Sequence, residues 1–286
     1  MASVDPEAAR ARRRWLVSRV AIYGLLSLFA LAYLLPAYAL VVGSFRTGAD
    51  IRANGIFSLP ESFTFAGWLR AWTEVCVSGR CDGIAPNFWN SLVITVPSTL
   101  FSTALGAING YVLSKWRFRG ADFVFAGMLF GVFLPTQVTL LPWAYVIGNL
   151  GLSNSVYGLI LIHCVMGLGF TTLFCRNFFA HLPDDLIKAA QIDGAGFWRI
   201  LWKVVLPLSP PILIVCVIWQ FTQIWNEYLY GVVFTSGHQQ PVTAALQSVG
   251  RGGSSAAVLI AAIPPLLIFL LGGRYFVRGL VQGAIK

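Results

Sequence analysis

The chain has 286 residues, of which 57% are hydrophobic and only 11% are charged, and its formal net charge is +9. Because an ordinary soluble domain is about a quarter charged, this composition excludes a typical soluble globular protein. A helix needs about 20 apolar residues to cross roughly 30 Å of hydrocarbon. Backbone polar groups inside lipid must be paired within their own segment. The sequence therefore predicts an all-α membrane protein.

Apolar runs of that length occur six times along the chain. The first run follows a basic segment, and Ala37–Ala39 is similar to a signal-peptidase site. This run is longer than the apolar part of a secretory signal and five more runs follow it, so we expect it to be retained. The six predicted transmembrane spans are Val20–Val42, Phe88–Leu113, Phe123–Ile147, Val156–Phe174, Leu208–Phe234 and Ala256–Phe276.

The positions of lysine and arginine predict the orientation of these spans. Placing the N-terminus in the cytoplasm puts 15 of the 20 basic residues in inner segments, as the positive-inside rule requires. These segments include a basic tail, residues 1–19, which precedes the transmembrane region, residues 20–286. The positive charge is spread over several short loops that face lipid head groups, and this pattern excludes nucleic-acid binding. We expect a multi-pass protein of the cell inner membrane with both termini in the cytoplasm.

Two of the five cysteines lie in predicted spans, one lies near the inner face and two share an outer loop. Cys76 and Cys81 share this long loop, about residues 43–87, in a compartment where a disulfide can persist. Their spacing permits a bond but does not demonstrate one. The remaining cysteines, Cys164, Cys175 and Cys216, are predicted to be small buried hydrophobic residues.

The long inner loop, residues 175–207, is amphipathic rather than spanning. Pro183 and the two acids after it are typical of a helix start, and Gly194 and Gly196 predict a stop and a turn. A second helix is predicted over Phe197–Val205. The residues alone leave open an ordinary interfacial helix or a helix that docks on another protein.

Residues Lys188–Ala195, followed after eight residues by Val204–Pro207, resemble the cytoplasmic motif of ABC importer permeases. Lys188 departs from that motif, which usually begins with glutamate. In the family this segment is the coupling helix, which lies in a cleft of the ATPase subunit. We name residues 175–207 the coupling loop. The resemblance implies that contact with the ATPase involves Lys188, Ala189, Ala190, Asp193, Gly194, Ala195, Leu206 and Pro207.

The residue types suit this role. Ala189 and Ala190 are small enough for a close approach to another surface, and Gly194 can adopt the positive φ of a reversal. Asp193 is predicted to accept hydrogen bonds from backbone amides around the turn.

The resemblance extends over nearly the whole chain. Asn87–Ser91 and Trp225–Leu229 are similar to the second permease subunit of maltose-type carbohydrate importers. Asn109–Gly120, Ile218–Asn226 and Tyr275–Leu280 are closer still to glucose/mannose-type permeases. This resemblance implies a type I ABC importer permease fold with six transmembrane helices. It also implies a second homologous permease, two ATPase subunits that bind ATP and magnesium, and an extracytoplasmic sugar-binding protein.

Polar residues in the fifth predicted span are candidates for the translocation path. Gln220, Gln223 and Glu227 are three and four residues apart, so they share one helix face, with Trp225 and Asn226 beside it. Such a face could hydrogen-bond sugar hydroxyls and stack on a sugar ring. Alternatively, Glu227 only joins the span to a neighbour, since in maltose-type systems the other permease holds most of the sugar.

Other motifs narrow the function. No lysine follows a glycine, so the phosphate-binding G-x-x-x-x-G-K loop of an ATPase is absent, and no metal-ligand cluster or nucleophile elbow occurs. We therefore expect no enzyme site, no metal site and no cofactor bound by this chain. The alternatives to an ABC permease are an ion-coupled secondary transporter, which needs an ion relay and paired broken helices, and a structural membrane subunit.

Gln137 in the third predicted span is expected to hydrogen-bond between helices.

Overall fold

A computed structural model describes residues 6–116, 118–249 and 254–282. The predicted tails therefore lie partly outside the described residues, at 1–5 and 283–286. Within the described ranges the chain forms thirteen α-helices. In chain order they are α1 (Pro6–Ser44), α2 (Gly48–Asn54), α3 (Ala66–Thr73), α4 (Ala85–Lys115), α5 (Ala121–Val132), α6 (Thr136–Asn149), α7 (Val156–Ala180), α8 (Asp184–Ile192), α9 (Phe197–Ile200), α10 (Pro210–Asn226), α11 (Leu229–Phe234), α12 (Val242–Ala245) and α13 (Ser254–Gln282).

Four continuous helical segments are long and apolar enough to cross a membrane: Arg14–Ser44, Ala85–Lys115, Val156–Ala180 and Ser255–Gly273. They contain, wholly or for the most part, the first, second, fourth and sixth predicted spans. Two bent pairs of helices also pass the same test, so the described residues hold six spans if each pair counts as one. The prediction of an all-α membrane fold is confirmed.

The third predicted span, Phe123–Ile147, is wrong as a continuous helix. It is divided into α5 and α6, whose axes differ by 103°. Pro135 lies at the break with ψ 136°. Proline has no N–H to donate to the preceding turn, and its ring disfavours helical backbone at the residue before it. Helix α5 therefore ends at Val132, before Pro135, and helical backbone restarts at Thr136.

The fifth predicted span, Leu208–Phe234, is wrong at its outer end. Helix α10 ends at Asn226, and Glu227 is extended, with ψ 125°. The short helix α11 follows after this interruption. Helix α10 also makes an angle of 81° with the helical segment Phe197–Leu208 before it. Glu227 thus lies beyond the spanning helix, not within it.

Helices α4 and α7 pack along each other at very close range. A Cβ built on Gly110 would lie 2.7 Å from the Arg176 backbone nitrogen, so only glycine permits this approach. Nearby, the Thr171 hydroxyl on α7 donates to the Ser102 carbonyl on α4 at 2.8 Å. Small residues and hydroxyl pairs are the usual means of joining helices in lipid. Helix α10 packs on both helices and on α13.

The predicted outer loop folds into an ordered unit above these helices. The Arg46 side chain is fully buried and donates to both Asp50 carboxylate oxygens at 2.9 Å. It also donates to the carbonyls of Gly55 and Ser58 at 2.7 and 3.1 Å. One guanidinium group therefore holds together a loop of more than ten residues.

Candidate functional site

The first half of the coupling loop is a helix that ends in a reversal. Helix α8 begins at Asp184 after an extended Pro183. Two acids lie in its first turn, where the helix dipole stabilises negative charge. At its other end Gly194 has φ +74°. The Gly194 amide donates to Gln191 O at 3.0 Å, and the Ala195 amide donates to Ala190 O at 2.9 Å. This pair of bonds is a Schellman motif, and it forms the predicted turn.

The second half of the loop returns towards the membrane. Gly196 is extended and precedes α9, and helical backbone continues through Leu208. Leu206 packs against the buried cluster that includes Tyr111 and Phe179. Pro207 is exposed in the last turn before α10. The predicted second helix is therefore present, with Pro207 one residue before its end.

One side of the coupling loop is fixed to the membrane helices. Ile187 of α8 is buried against a core that includes Tyr111 of α4 and Phe179 of α7. The ring centroids of Tyr111 and Phe197 are 5.0 Å apart. The loop is therefore a rigid extension of α4 and α7, so a displacement of one moves the others.

The opposite side of the loop is exposed. The side chains of Lys188, Ala189 and Asp193 all face outward, and Ile192 is 86% exposed. The expected role of Asp193 in the turn is wrong, since no described residue donates a hydrogen bond to its carboxylate. Its carboxylate points to solvent because the Schellman bonds already use the amides around the turn.

Lys115 connects the start of α8 with the end of α4. Its ammonium group donates to Leu182 O at 2.7 Å and lies 2.5 Å from an Asp184 carboxylate oxygen. The Lys115 side chain is only 6% exposed. No local pattern predicted this contact, because the two charges are 69 residues apart along the chain.

A second feature is a shallow, open cavity of about 320 Å³ between the α5–α6 break and the end of α10. We name it the polar cavity. Three of the five predicted path residues line it, together with two residues of α6 that were not predicted to do so. Its lining consists of Thr136, Gln137, Gln223, Asn226, Glu227, Tyr228 and Leu229.

Two predicted path residues lie elsewhere. Gln220 is buried, and its amide lies against Gly167 of α7, where an added Cβ would be 2.0 Å from Gln220 Nε2. Trp225 is also buried, and its indole donates to Ala261 O on α13 at 2.8 Å. Both residues hold α10 against its neighbours. The spacing of Gln220, Gln223 and Glu227 indicated a shared face but could not show that Gln220 packs on another helix.

Glu227 has a definite structural partner. Both carboxylate oxygens lie 3.0 Å from the Tyr230 amide, and one accepts from Gly231 N at 3.4 Å. The carboxylate thus caps the first turn of α11, where a negative charge is favourable. Thr243 also donates to the Glu227 carbonyl at 3.0 Å. Glu227 therefore fixes the backbone beside the polar cavity while forming part of its wall.

Gln137 does not form the expected bond between helices. No described residue hydrogen-bonds to its amide, which is exposed on α6. The signal that could have identified it is its position two residues after Pro135. Side chains next to a helix break within the membrane are accessible to the water or ligand that occupies the break.

In the predicted outer loop, the structure joins Cys76 and Cys81 in a disulfide. The enclosed turn contains Ser78 and Gly79, both with positive φ. The Ser78 hydroxyl lies 3.4 Å from the Gln240 side-chain oxygen. The disulfide loop therefore contacts the segment that joins α11 to α12.

Comparison with known proteins relates the chain to membrane transport subunits. A probable ABC transporter permease protein of Pyrococcus horikoshii is 38% identical, and the match covers 96% of this chain and 99% of that protein. The diacetylchitobiose uptake permease of Streptomyces coelicolor is 30% identical, over 92% and 88% of the two chains. The glucose import permease of Saccharolobus solfataricus is 31% identical, over 91% and 92%.

A solved structure shows the same fold. It is a bacterial ABC transporter involved in the import of the acidic polysaccharide alginate, with a TM-score of 0.77 and 22% identity. The match covers 96% of this chain and 100% of that one. Residues 89–282 also match the family model described as binding-protein-dependent transport system inner membrane component. These residues include most of α4, the coupling loop and the polar cavity. The chain therefore belongs to the family of inner membrane components of binding-protein-dependent transport systems.

Proposed function

We propose that this chain is the permease subunit of an ABC importer that moves a sugar into the cytoplasm. The observation that carries the proposal is the coupling loop, a rigid turn with an exposed outer side in a chain of this family. Relatives over nearly the whole length are named for glucose and for diacetylchitobiose. We take the sugar to be glucose, mannose or a related mono- or small oligosaccharide.

The coupling loop is suited to receive force from an ATPase. Its outer side presents Ala189, Ile192 and Gly194 together with the exposed charged side chains of Lys188 and Asp193. An isoleucine that is 86% exposed is unfavourable in water, and a cleft of a partner subunit would cover it. The loop is packed on α4 and α7 through Ile187, so movement of the loop is transmitted directly to the membrane helices.

The remaining parts of the machine follow from this assignment. A second homologous permease completes the membrane pore, and two ATPase subunits bind ATP and magnesium and supply the energy. A sugar-binding protein delivers the substrate to the outer face. The chain itself needs no cofactor under this proposal. Its termini and the coupling loop lie in the cytoplasm, in agreement with the distribution of basic residues.

We also propose that Gln223, Asn226 and Glu227 line the translocation path. Gln220 and Trp225 support that wall from behind, through contacts with α7 and α13. A polar wall of this kind is costly against lipid, and a water-filled path between two permeases avoids that cost.

The test is transport by the purified complex in lipid vesicles. Vesicles are supplied with the binding protein and labelled glucose, mannose or chitobiose, with either ATP or an ion gradient as the energy source. We expect accumulation of at least one sugar with ATP alone. Accumulation driven only by an ion gradient would show a secondary transporter. Assembly without an ATPase and without any transport would show a structural subunit.

A further inference from the structure

We propose that the polar cavity is a sugar-binding subsite contributed by this chain itself and specific for neutral sugars. The inference rests on the proposed function and extends it, because it assigns a ligand to particular residues. It also adds Thr136 and Gln137 of α6 to the three predicted path residues that line the cavity.

The strongest observation is unused hydrogen-bonding capacity. The side chains of Thr136, Gln137, Gln223 and Asn226 form no hydrogen bond with any described residue. Three primary amides and a hydroxyl together offer donors and acceptors in nearly equal numbers. The hydroxyls of a sugar also donate and accept at the same atom. Such a ligand matches this set better than a pure donor or a pure acceptor does.

The cavity also provides an apolar surface. Tyr228 and Leu229 lie on the wall next to the amides. The faces of a sugar ring are lined with C–H groups, and these pack on aromatic and aliphatic side chains. A few placed polar groups beside an apolar wall are the usual composition of a small-molecule site, whose volume begins at about 300 Å³.

The charge of the cavity indicates which sugars fit. Glu227 is the one charged residue of the lining, and no basic side chain of the described residues is among them. An acidic sugar would therefore enter next to a carboxylate without a cation to pair with it. Repulsion between like charges and the loss of hydration both oppose that binding. The subsite should accept a neutral pyranose and reject the corresponding uronate.

The backbone supports the same conclusion. At the α5–α6 break the helical hydrogen bonds are interrupted around Pro135. Such irregular backbone is tolerated at membrane depth only where protein covers it or where it lines a cavity. The break should therefore face a polar ligand path. Thr136 and Gln137 are the first side chains after it.

The test compares single substitutions in the complete complex. We expect Gln137→Ala, Gln223→Ala and Asn226→Ala each to weaken glucose binding to the detergent-solubilised complex by about three- to tenfold, as loss of one or two hydrogen bonds predicts. The matched control is Asn149→Ala at the opposite end of α6, which should not change it. All four variants should still assemble with the ATPase and the second permease, since none of the side chains is buried. ATPase activity stimulated by the binding protein should be unchanged in the Asn149→Ala control.

A second measurement, at saturating sugar concentration, reports where the sugar lies. A cysteine introduced by Gln223→Cys should be modified by a small maleimide, and glucose should slow this reaction whereas glucuronate should not. Asn149→Cys should react at the same rate with either sugar. Unchanged binding in the three alanine variants, or equal protection by glucuronate, would overturn the subsite. A wild-type complex that transports no sugar with ATP would instead overturn the proposed function.

Discussion

Gly194 provides the sharpest test of the coupling loop. Its φ of +74° lies in the left-handed region, and the Schellman bonds of its own amide and of the Ala195 amide depend on that conformation. A Cβ added at this position meets no atom within 4 Å. The cost of a side chain is therefore conformational and is not caused by contact with neighbours. Valine, which is branched at Cβ, is the strongest perturbation of this kind.

The size of the effect follows from that conformation. A non-glycine residue in the left-handed region costs about 1–3 kcal/mol, which is a factor of about 5–150 in an equilibrium constant. The turn must be formed when the loop is docked, so Gly194→Val should weaken binding of the ATPase by this factor. Asparagine tolerates the left-handed region and is similar in size to valine. Gly194→Asn should therefore remain close to wild type if strain is the cause.

The assay measures the amount of ATPase that co-purifies with the permease and the rate of sugar uptake in vesicles. Gly196 is the matched control, because it is also in open space but has φ −78° and ψ 175°, which valine readily adopts. We expect Gly194→Val to reduce both quantities at least about fivefold and Gly196→Val to change neither. Equal losses in both variants, or wild-type uptake in Gly194→Val, would refute the reasoning.

Three further predictions concern other contacts. Lys115→Met keeps the length of the side chain but removes the ammonium group from the start of α8, so uptake should fall several-fold while the permease remains in the membrane, as immunoblotting would show. A maleimide that cannot cross membranes should label Cys76 and Cys81 only after reduction, because they are joined; labelling before reduction would contradict this pairing. Hydrogen bonds from Arg46 lower the pKa of Asp50, so this pair should stabilise the outer loop above about pH 4. That stabilisation should be lost as the pH falls further, and outer-face proteolysis should then increase in wild type but not in Asp50→Asn.

The coupling loop was predictable from sequence because its structure is determined locally. Pro183 and two acids start the helix, and Gly194 alone permits the reversal ten residues later. These signals act within one or two turns of the chain, and no distant contact competes with them. The Lys115 contact with Asp184 was not predictable, since it depends on how the ends of α4 and α7 are placed.

The prolines show a second limit of prediction from the sequence. Pro97, Pro142, Pro264 and Pro265 all lie inside continuous helices, whereas Pro135 interrupts one. Each removes one backbone donor, so the residue type does not decide between a tolerated proline and a break. Packing separates Pro97 from Pro135, because α4 is held along its length by α7 whereas much of α5 and α6 is exposed. Pro142 does not follow this rule, since it lies inside the exposed helix α6.

The exposed face of α6 indicates where another subunit contacts this chain. Leu141 and Tyr145 of α6 are 83% and 74% exposed and can face lipid or protein. Gln137, on the same helix, cannot face lipid without an unpaired amide, a cost of several kcal/mol in an apolar medium. Gln223 and Asn226 carry the same constraint from α10. A surface that mixes large apolar residues with unpaired amides suits neither lipid nor water alone, and it is best satisfied where a second permease covers the apolar part and a hydrated path reaches the amides. Under the proposed function we therefore predict that the interface between the two permeases passes along α6 and the end of α10, with the substrate path between them.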